Sequence, residues 1–426
     1  MNRKLNNIFK GDKVIWMVFF FLCLISVVEV FSASSGLTYK SGSYLAPIVK
    51  HILILMVGVF FMVVTLNIKC RYFKLLTPFL LILSIVSLIW VYFAGQETND
   101  AQRWVTILGV QFQPSEIAKG TMVLATAQIL SAMQTNDGAD RHAMNYILAV
   151  CLVIVPLIMM ENLSTAALLC VVVFLMMVVG RVPAQQLGKL LGAVMLLIVS
   201  VITMVMVFGH DVKEEDPTKT LSEQVSADGA KEKVDQKSGI FHRFDTWKSR
   251  IDKFLNSKEV APEDVDLDKD AQVAHANIAI ASSNIIGKGP GNSVERDFLS
   301  QAFSDFIYAI IIEEMGMFGA FFVAMLYIIL LFRTGRIANR CENNFPAFLA
   351  MGLAMLLVTQ ALFNMCVAVG LAPVTGQPLP LISKGGTSSI INCVYIGVIL
   401  SVSRSAKKNI VSIEDKDEQT EAQLSI

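Results

Sequence analysis

Stretches of about 20 uninterrupted apolar residues recur along the chain, each long enough to cross the hydrocarbon of a bilayer as an α-helix. Ten such runs stand out: Val14–Phe31, Ile48–Leu66, Leu75–Ala94, Ile117–Met133, Tyr146–Met160, Thr165–Val179, Leu187–Phe208, Phe306–Phe332, Phe345–Val369 and Ser389–Val402. With 54% hydrophobic residues, 16% charged and a mean hydropathy of +0.59, the chain carries more apolar surface than a soluble fold can hide. The fold class expected is all-α: a polytopic membrane protein with about ten transmembrane helices and one large extracytoplasmic loop. The fifth and sixth runs are short and meet at Glu161–Asn162, so one broken pair is an alternative there.

Lys and Arg in short loops set orientation. With the N-terminus inside, the cytoplasmic segments hold Arg3, Lys4, Lys10, Lys13, Lys69, Arg71, Lys74, Arg141, Arg181, Lys189, Arg333, Arg336 and Arg340, and the tail adds Arg404, Lys407 and Lys408. The opposite short loops hold only Lys40, Arg103 and Lys384, with Lys50 and Lys119 just inside helix starts. The zero net charge is therefore a sorted distribution with no basic footprint for nucleic acid. The first run lacks a small-residue cleavage site and is expected to stay as a helix. The seven cysteines lie in or beside helices without metal-ligand spacing, which argues against a disulfide framework or a structural zinc site.

The organisation expected is helices one to seven over 1–208, an external loop over 209–304, helices eight to ten over 305–404, and a cytoplasmic tail over 405–426. The loop holds about half of the acidic residues. Asp211–Ser238 is polar and reads as disordered. In Ile240–Leu255, Phe244, Trp247 and Ile251 recur at helical spacing among Arg243, Lys248, Arg250 and Lys253. Such a basic helix suits the membrane interface, either guiding an anionic headgroup or simply packing. Ala271–Ile286, small and apolar with Gln272 and His275, reads as a re-entrant or surface helix. Gly287–Ser293 is rich in glycine, but no strand precedes it and no P-loop Lys-Ser/Thr closes it, so a turn is the default.

Several ionisable groups fall where lipid is expected. Asp305 stands where the loop re-enters the bilayer, either as a helix cap or as a carboxylate poised to accept a proton. Glu116 and Lys119, three apart on one face, can pair. Glu313 and Glu314 lie about two turns into the eighth helix, with Glu313 nearer the face of Asp305, and are read as lining the same cavity. Glu29 has no obvious partner, and His51 and His142 read as helix-end residues. No Ser-His-Asp, Cys-His, HExxH or Walker A pattern is visible, which disfavours a hydrolase or an ATP-driven pump.

Three groups of segments together resemble the SEDS family of bacterial membrane proteins, whose members are of the RodA, FtsW and SpoVE types. Arg103-Trp104, then Gln113-Pro114-Ser115-Glu116 and Lys119, are similar to the family's RW…QPSE..K signature. Gly289-Pro290-Gly291-Asn292-Ser293, then Ser304-Asp305-Phe306-Ile307-Tyr308-Ala309 and Glu313-Glu314-Met315-Gly316, resemble GLGNS…TDFIFA…EELG. Gln360, Asn364, Gly370 and Pro373, followed by Leu379 through Ser388, resemble the LPLISYGGSS region. The chain departs from the family in lacking the Glu and His that usually precede the Asp, in carrying Lys384 for the usual Tyr, and in having Glu161–Thr165 where QPDLGT is typical.

The resemblance implies a peptidoglycan glycosyltransferase that polymerises lipid II with a class B penicillin-binding protein, in the bacterial cytoplasmic membrane with both termini inside. Gly291-Asn292-Ser293 favours the cell-division branch, hence the septum and other division proteins as partners, over the elongation branch. Asp305 is the implied general base. Arg243 is the candidate for holding pyrophosphate, with Lys384 or a divalent cation (Mg or Mn) as help and no nucleotide needed. Arg103, Glu116 and Lys119 are expected to shape a groove for lipid or strand, and Gln272 and Ser383 complete the candidate substrate-binding set. The rival readings are a transporter that flips the lipid-linked precursor and a scaffold that only recruits the transpeptidase.

Overall fold

The computed structural model describes residues 10–34, 46–94, 96–98, 101–107, 110–208, 271–299 and 302–424. Every one of the ten apolar runs is a helix: α1 Lys13–Ala33, α2 Ala46–Asn67, α3 Cys70–Ala94, α4 Pro114–Ala132, α5 Ala143–Glu161, α6 Leu163–Val179, α7 Ala184–Phe208, then α9 Ile307–Ala338, α10 Asn344–Ala368 and α11 Thr387–Leu424. The short α8 spans Ala271–Ala281. Among the described residues seven helices are both long and apolar enough to cross a membrane. Their outward faces carry large apolar side chains such as Phe79, Phe93, Leu152 and Phe318, the surface a lipid solvent accepts. Glu29, Glu116, Lys119, Glu161, Glu313 and Glu314 are buried instead, as the cost of charge in hydrocarbon demands. The protein is a multi-pass membrane protein.

The chain divides into two units, Met1–Leu187 with Asp266–Ile426, and Gly188–Val265. Of the second unit the described part is the remainder of α7, whose Leu191, Leu196 and Val199 are exposed. In the first unit α2 packs along α11, α10 lies against α4, α6 and α9, and α1 lies against α9. Small residues permit these approaches: a Cβ on Gly397 of α11 would come 2.7 Å from the Met62 carbonyl of α2, and one on Gly120 of α4 would meet the Tyr395 ring at 2.6 Å. At one end Asp12 accepts from the amides of Val14 and Ile15, capping α1, and also binds Arg333 of α9 at 2.8 Å.

The fifth and sixth runs are two helices, separated by Asn162, whose side chain caps α6 through the amides of Ser164 and Thr165. Three features differ from expectation. Strands β1 Gln96–Thr98, β2 Ala101–Ile107 and β3 Val110–Phe112 form a small antiparallel sheet between α3 and α4, in a segment too short and mixed to show alternation. The helix expected over Ala271–Ile286 stops at Ala281, where the Ser282 and Ser283 hydroxyls donate to the Ala279 and Ile280 carbonyls at 3.1 and 2.7 Å. The expected tail is a continuation of α11 to Leu424, consistent with its Lys, Glu and Gln content and their good helix propensity.

Candidate active site

Asp305 ends the turn Ala302–Asp305 that leads into α9 and is half-buried. It does not cap the helix: the N-cap position is Phe306, with no side-chain cap bond. Its carboxylate Oδ1 accepts from the Ser304 hydroxyl at 3.0 Å. The turn is fixed from two other parts of the chain. Asn364 of α10 donates through Nδ2 to the Asp305 carbonyl at 2.9 Å and to the Gln377 carbonyl at 2.7 Å. Ser383 Oγ donates to the Ser304 carbonyl at 2.6 Å, and the Lys384 amide donates to the Phe303 carbonyl at 2.9 Å. From below, Ala276 and Ala279 of α8 pack with Ala302, Phe306 and Ala309; Gln272, half-buried, is one turn earlier on α8.

The segment that supplies Ser383 and Lys384 is itself clamped. Leu381 is buried with φ +67°, a left-handed conformation that costs a non-glycine residue about 1–2 kcal/mol. The carbonyls on either side are held: Tyr327 OH donates to Pro380 and Ser26 Oγ donates to Ile382 at 2.7 Å. Strain of this kind persists where the surroundings over-determine it, and it commonly accompanies function. Lys384 lies with Nζ 4.9 Å above the Phe303 ring. Burial, and then the Lys50 charge, hold its ammonium below the usual lysine range. His51, read as a helix-end residue, is buried inside α2 with Nε2 2.9 Å from Ser26 Oγ.

The Glu116–Lys119 pair forms, at 2.8 Å, fully inside the bundle. Lys119 Nζ also donates to Gln360 Oε1 at 2.8 Å, and Gln360 Nε2 donates to the Pro378 carbonyl at 3.0 Å. Tyr395 OH donates to the Glu116 carbonyl at 2.6 Å, and Gln377 donates to Thr165 Oγ1. One buried polar network thus joins α4, α6, α10 and α11 to the turn carrying Asp305. A buried ion pair needs such additional bonds to offset its desolvation. Glu116 Oε2 has no hydrogen-bond partner among the described residues.

Glu313 and Glu314 differ from the expectation of a cavity shared with Asp305, because both carboxylates turn to the glycine loop. Glu313 accepts from Lys288 Nζ at 2.6 Å, the Val294 amide at 3.1 Å and the Ser293 hydroxyl. Glu314 accepts from the amides of Gly291 at 2.9 Å and Ser293 at 3.2 Å, and from the Ser32 hydroxyl, with Arg296 at 4.0 Å. The loop is a nest of backbone donors filled by the chain's own carboxylates. Its glycines are needed: Gly287, Gly289 and Gly291 all have positive φ, and a Cβ on Gly287 would come 2.3 Å from the Glu314 carbonyl. Gly316, at φ +67°, breaks α9 against the same loop.

Arg243 and its helix lie outside the described residues, and Arg103 is described in its backbone alone, on β2. Glu29 is buried, and neither carboxylate oxygen has a hydrogen-bond partner among the described residues. No three His, Cys, Asp or Glu side chains gather as a metal cage among the described residues. Sequence reading missed the clamping roles of Asn364, Tyr327 and Ser26; only the polarity of these side chains within apolar runs signalled them.

The comparisons agree with this arrangement. The family profile of FtsW, RodA and SpoVE, described as cell cycle proteins, matches residues 12–229 and 235–408. The peptidoglycan glycosyltransferase MrdB of Escherichia coli K12 is 26% identical over 396 residues, 92% of this chain and 93% of that protein. The probable peptidoglycan glycosyltransferase FtsW of Bacillus subtilis is 27% identical over 332 residues, 77% and 73% of the two chains. Among solved structures, a chain of a peptidoglycan synthase complex that coordinates polymerization and crosslinking superposes with a TM-score of 0.66 at 22% identity, covering 93% of this chain and 98% of that one. The rod shape determining protein RodA of Thermus thermophilus gives 0.59 at 21% identity, covering 93% and 97%. The motif residues that meet at Asp305, the helical architecture and a profile match over most of the length lead to one conclusion: the chain belongs to the FtsW/RodA/SpoVE family.

Proposed function

We propose that the protein is a peptidoglycan glycosyltransferase that polymerises lipid II into glycan strands, with Asp305 as its general base. The observation that carries this is the meeting of two separated motif groups at the Asp305 turn, through Asn364, Ser383 and Lys384, with the Glu116–Lys119 motif tied to the second of them at Gln360, in a chain whose curated relatives are named peptidoglycan glycosyltransferases. The acceptor sugar's 4-hydroxyl gives its proton to the Asp305 carboxylate as its oxygen bonds to the donor's anomeric carbon. The bond from that carbon to the polyprenyl pyrophosphate breaks, and the pyrophosphate leaves with the electron pair. A positioned carboxylate contributes roughly 10²–10⁴-fold.

Positive charge is needed for the leaving pyrophosphate. Lys384, whose amide donates to the carbonyl of Phe303 two residues before Asp305, is assigned to supply it from the described part of the site, and Arg243 is the second candidate. Gln272 and Arg103 are assigned to substrate contacts, with Glu116, Lys119 and Ser383 holding the frame. A divalent cation, if recruited, shields the pyrophosphate. The partner is a class B penicillin-binding protein, supported by the fold shared with a chain of a polymerising and crosslinking complex. The division septum, with both termini cytoplasmic, is supported by Gly291-Asn292-Ser293, by FtsW-named relatives and by the sorted Lys and Arg. The test is incubation of purified protein and partner with labelled lipid II, without nucleotide. Glycan ladders support the transferase; their absence, with labelled lipid crossing vesicles, transfers the reading to a flippase.

A further inference from the structure

Where α9 gives way to α10, at the other end of α9 from Asp305, a cavity of about 690 Å³ lies between the starts of α3 and α10 and the middle of α11. Lys69, Arg71, Lys74 and Arg404 line it against a single acid, Glu342. None of the four cations is in an ion pair among the described residues. Three of them are steadied by neutral groups instead: Arg71 stands 5.0 Å over the Tyr72 ring, Lys74 stands 5.2 Å over Phe345, and Arg404 donates to Asn67. The first residues of α10, Asn344 and Phe345, line the same cavity, and this helix has no side-chain cap bond, so its positive dipole end adds to the field. The result is a concave site with an excess of uncompensated positive charge.

We infer that this cavity binds a phosphate-bearing anion, either the headgroup of an anionic phospholipid or free phosphate. The lipid source has structural support. Leu75 and Phe79 follow Arg71 at intervals of one helical turn on the same face of α3, and both are exposed. A headgroup in the cavity would thus have its acyl chains continuing along an apolar helix face. Lys and Arg of this end are those expected on the cytoplasmic side, where anionic lipids attract basic clusters.

The test uses the full-length protein in neutral detergent, titrated with short-chain phosphatidylglycerol, with phosphatidylcholine of the same chain length, and with inorganic phosphate. Phosphatidylglycerol is expected to bind saturably, and the Arg71→Gln/Lys74→Gln pair to weaken it about thirtyfold, from ~1 kcal/mol per basic side chain at an anionic surface. Arg71→Lys/Lys74→Arg, which keeps the charge, is expected to restore it. Arg336→Gln/Arg340→Gln, exposed at the same end outside the cavity, is expected to leave it unchanged. Binding of phosphatidylglycerol alone assigns the site to lipid, and binding of inorganic phosphate with the same variant dependence assigns it to a soluble phosphate. Binding of neither anion, or equal losses in the two Gln pairs, overturns the proposal.

Discussion

The side-chain amide of Asn364 bridges the carbonyls of Asp305 and Gln377 at 2.9 and 2.7 Å, so α10 sets the backbone position of the proposed base. Asn364→Ala leaves two inward carbonyls without this donor, a loss of about 1–3 kcal/mol for each group left unsatisfied. Polymerisation is expected to fall at least tenfold while the protein still elutes as a folded species. Full activity in that variant would show that the turn is held by Ser383 and Lys384 alone.

Lys119→Met strands the Glu116 carboxylate inside the bundle. Breaking a buried pair from one side costs about 3–5 kcal/mol, so thermal stability in detergent should drop sharply. The double variant Glu116→Gln/Lys119→Met removes both charges and is expected to recover most of the loss. Additive losses would contradict the pairing seen at 2.8 Å.

Gly287 and Gly291 share positive φ, yet their surroundings differ. A Cβ at Gly287 would meet the Glu314 carbonyl at 2.3 Å, whereas nothing lies within 4 Å of one at Gly291. Gly291→Ala is therefore expected to cost only the conformational term of about 1–2 kcal/mol. Gly287→Ala is expected to prevent the loop from seating on Glu313 and Glu314, with loss of folded protein. Similar melting temperatures for the two variants would contradict this placement of the loop.

The ten helices were legible because apolar runs of membrane-spanning length have few other solutions, and the Glu116–Lys119 pair was legible from helical spacing alone. The targets of Glu313 and Glu314 were not. Helical periodicity places a carboxylate on a face, but which loop folds back to meet it depends on Gly287 and Gly316, whose backbones nearly touch. The clamp on Leu381 was equally hidden, since its partners Tyr327 and Ser26 lie 53 and 356 residues from Pro380 and Ile382 respectively. The basic cavity escaped notice because its lysines and arginines were read as orientation signals, and only folding brings Arg404 to Lys69, Arg71 and Lys74.

If Lys384 holds the pyrophosphate as proposed, its deprotonation is expected to set an alkaline limit on the reaction. Its value is depressed by burial and by Lys50, so its charge is full below that value and is lost as pH rises through it, earlier than for a free lysine at about 10.4. Lys384→Arg stays charged throughout, and Lys50→Gln lifts one source of the depression. Both are expected to move the alkaline limb of the polymerisation profile to higher pH, and an unmoved limb in both would remove Lys384 from pyrophosphate binding.

The most direct measurement is polymerisation of labelled lipid II by the purified protein with its transpeptidase partner, comparing the wild type with Asp305→Asn. The amide keeps the shape and the half-buried setting of the side chain but cannot take the proton. Glycan ladders from the wild type, absent or reduced by roughly 10²–10⁴-fold in a folded, partner-bound variant, are the result the account predicts. Ladders of equal yield from both proteins would contradict it.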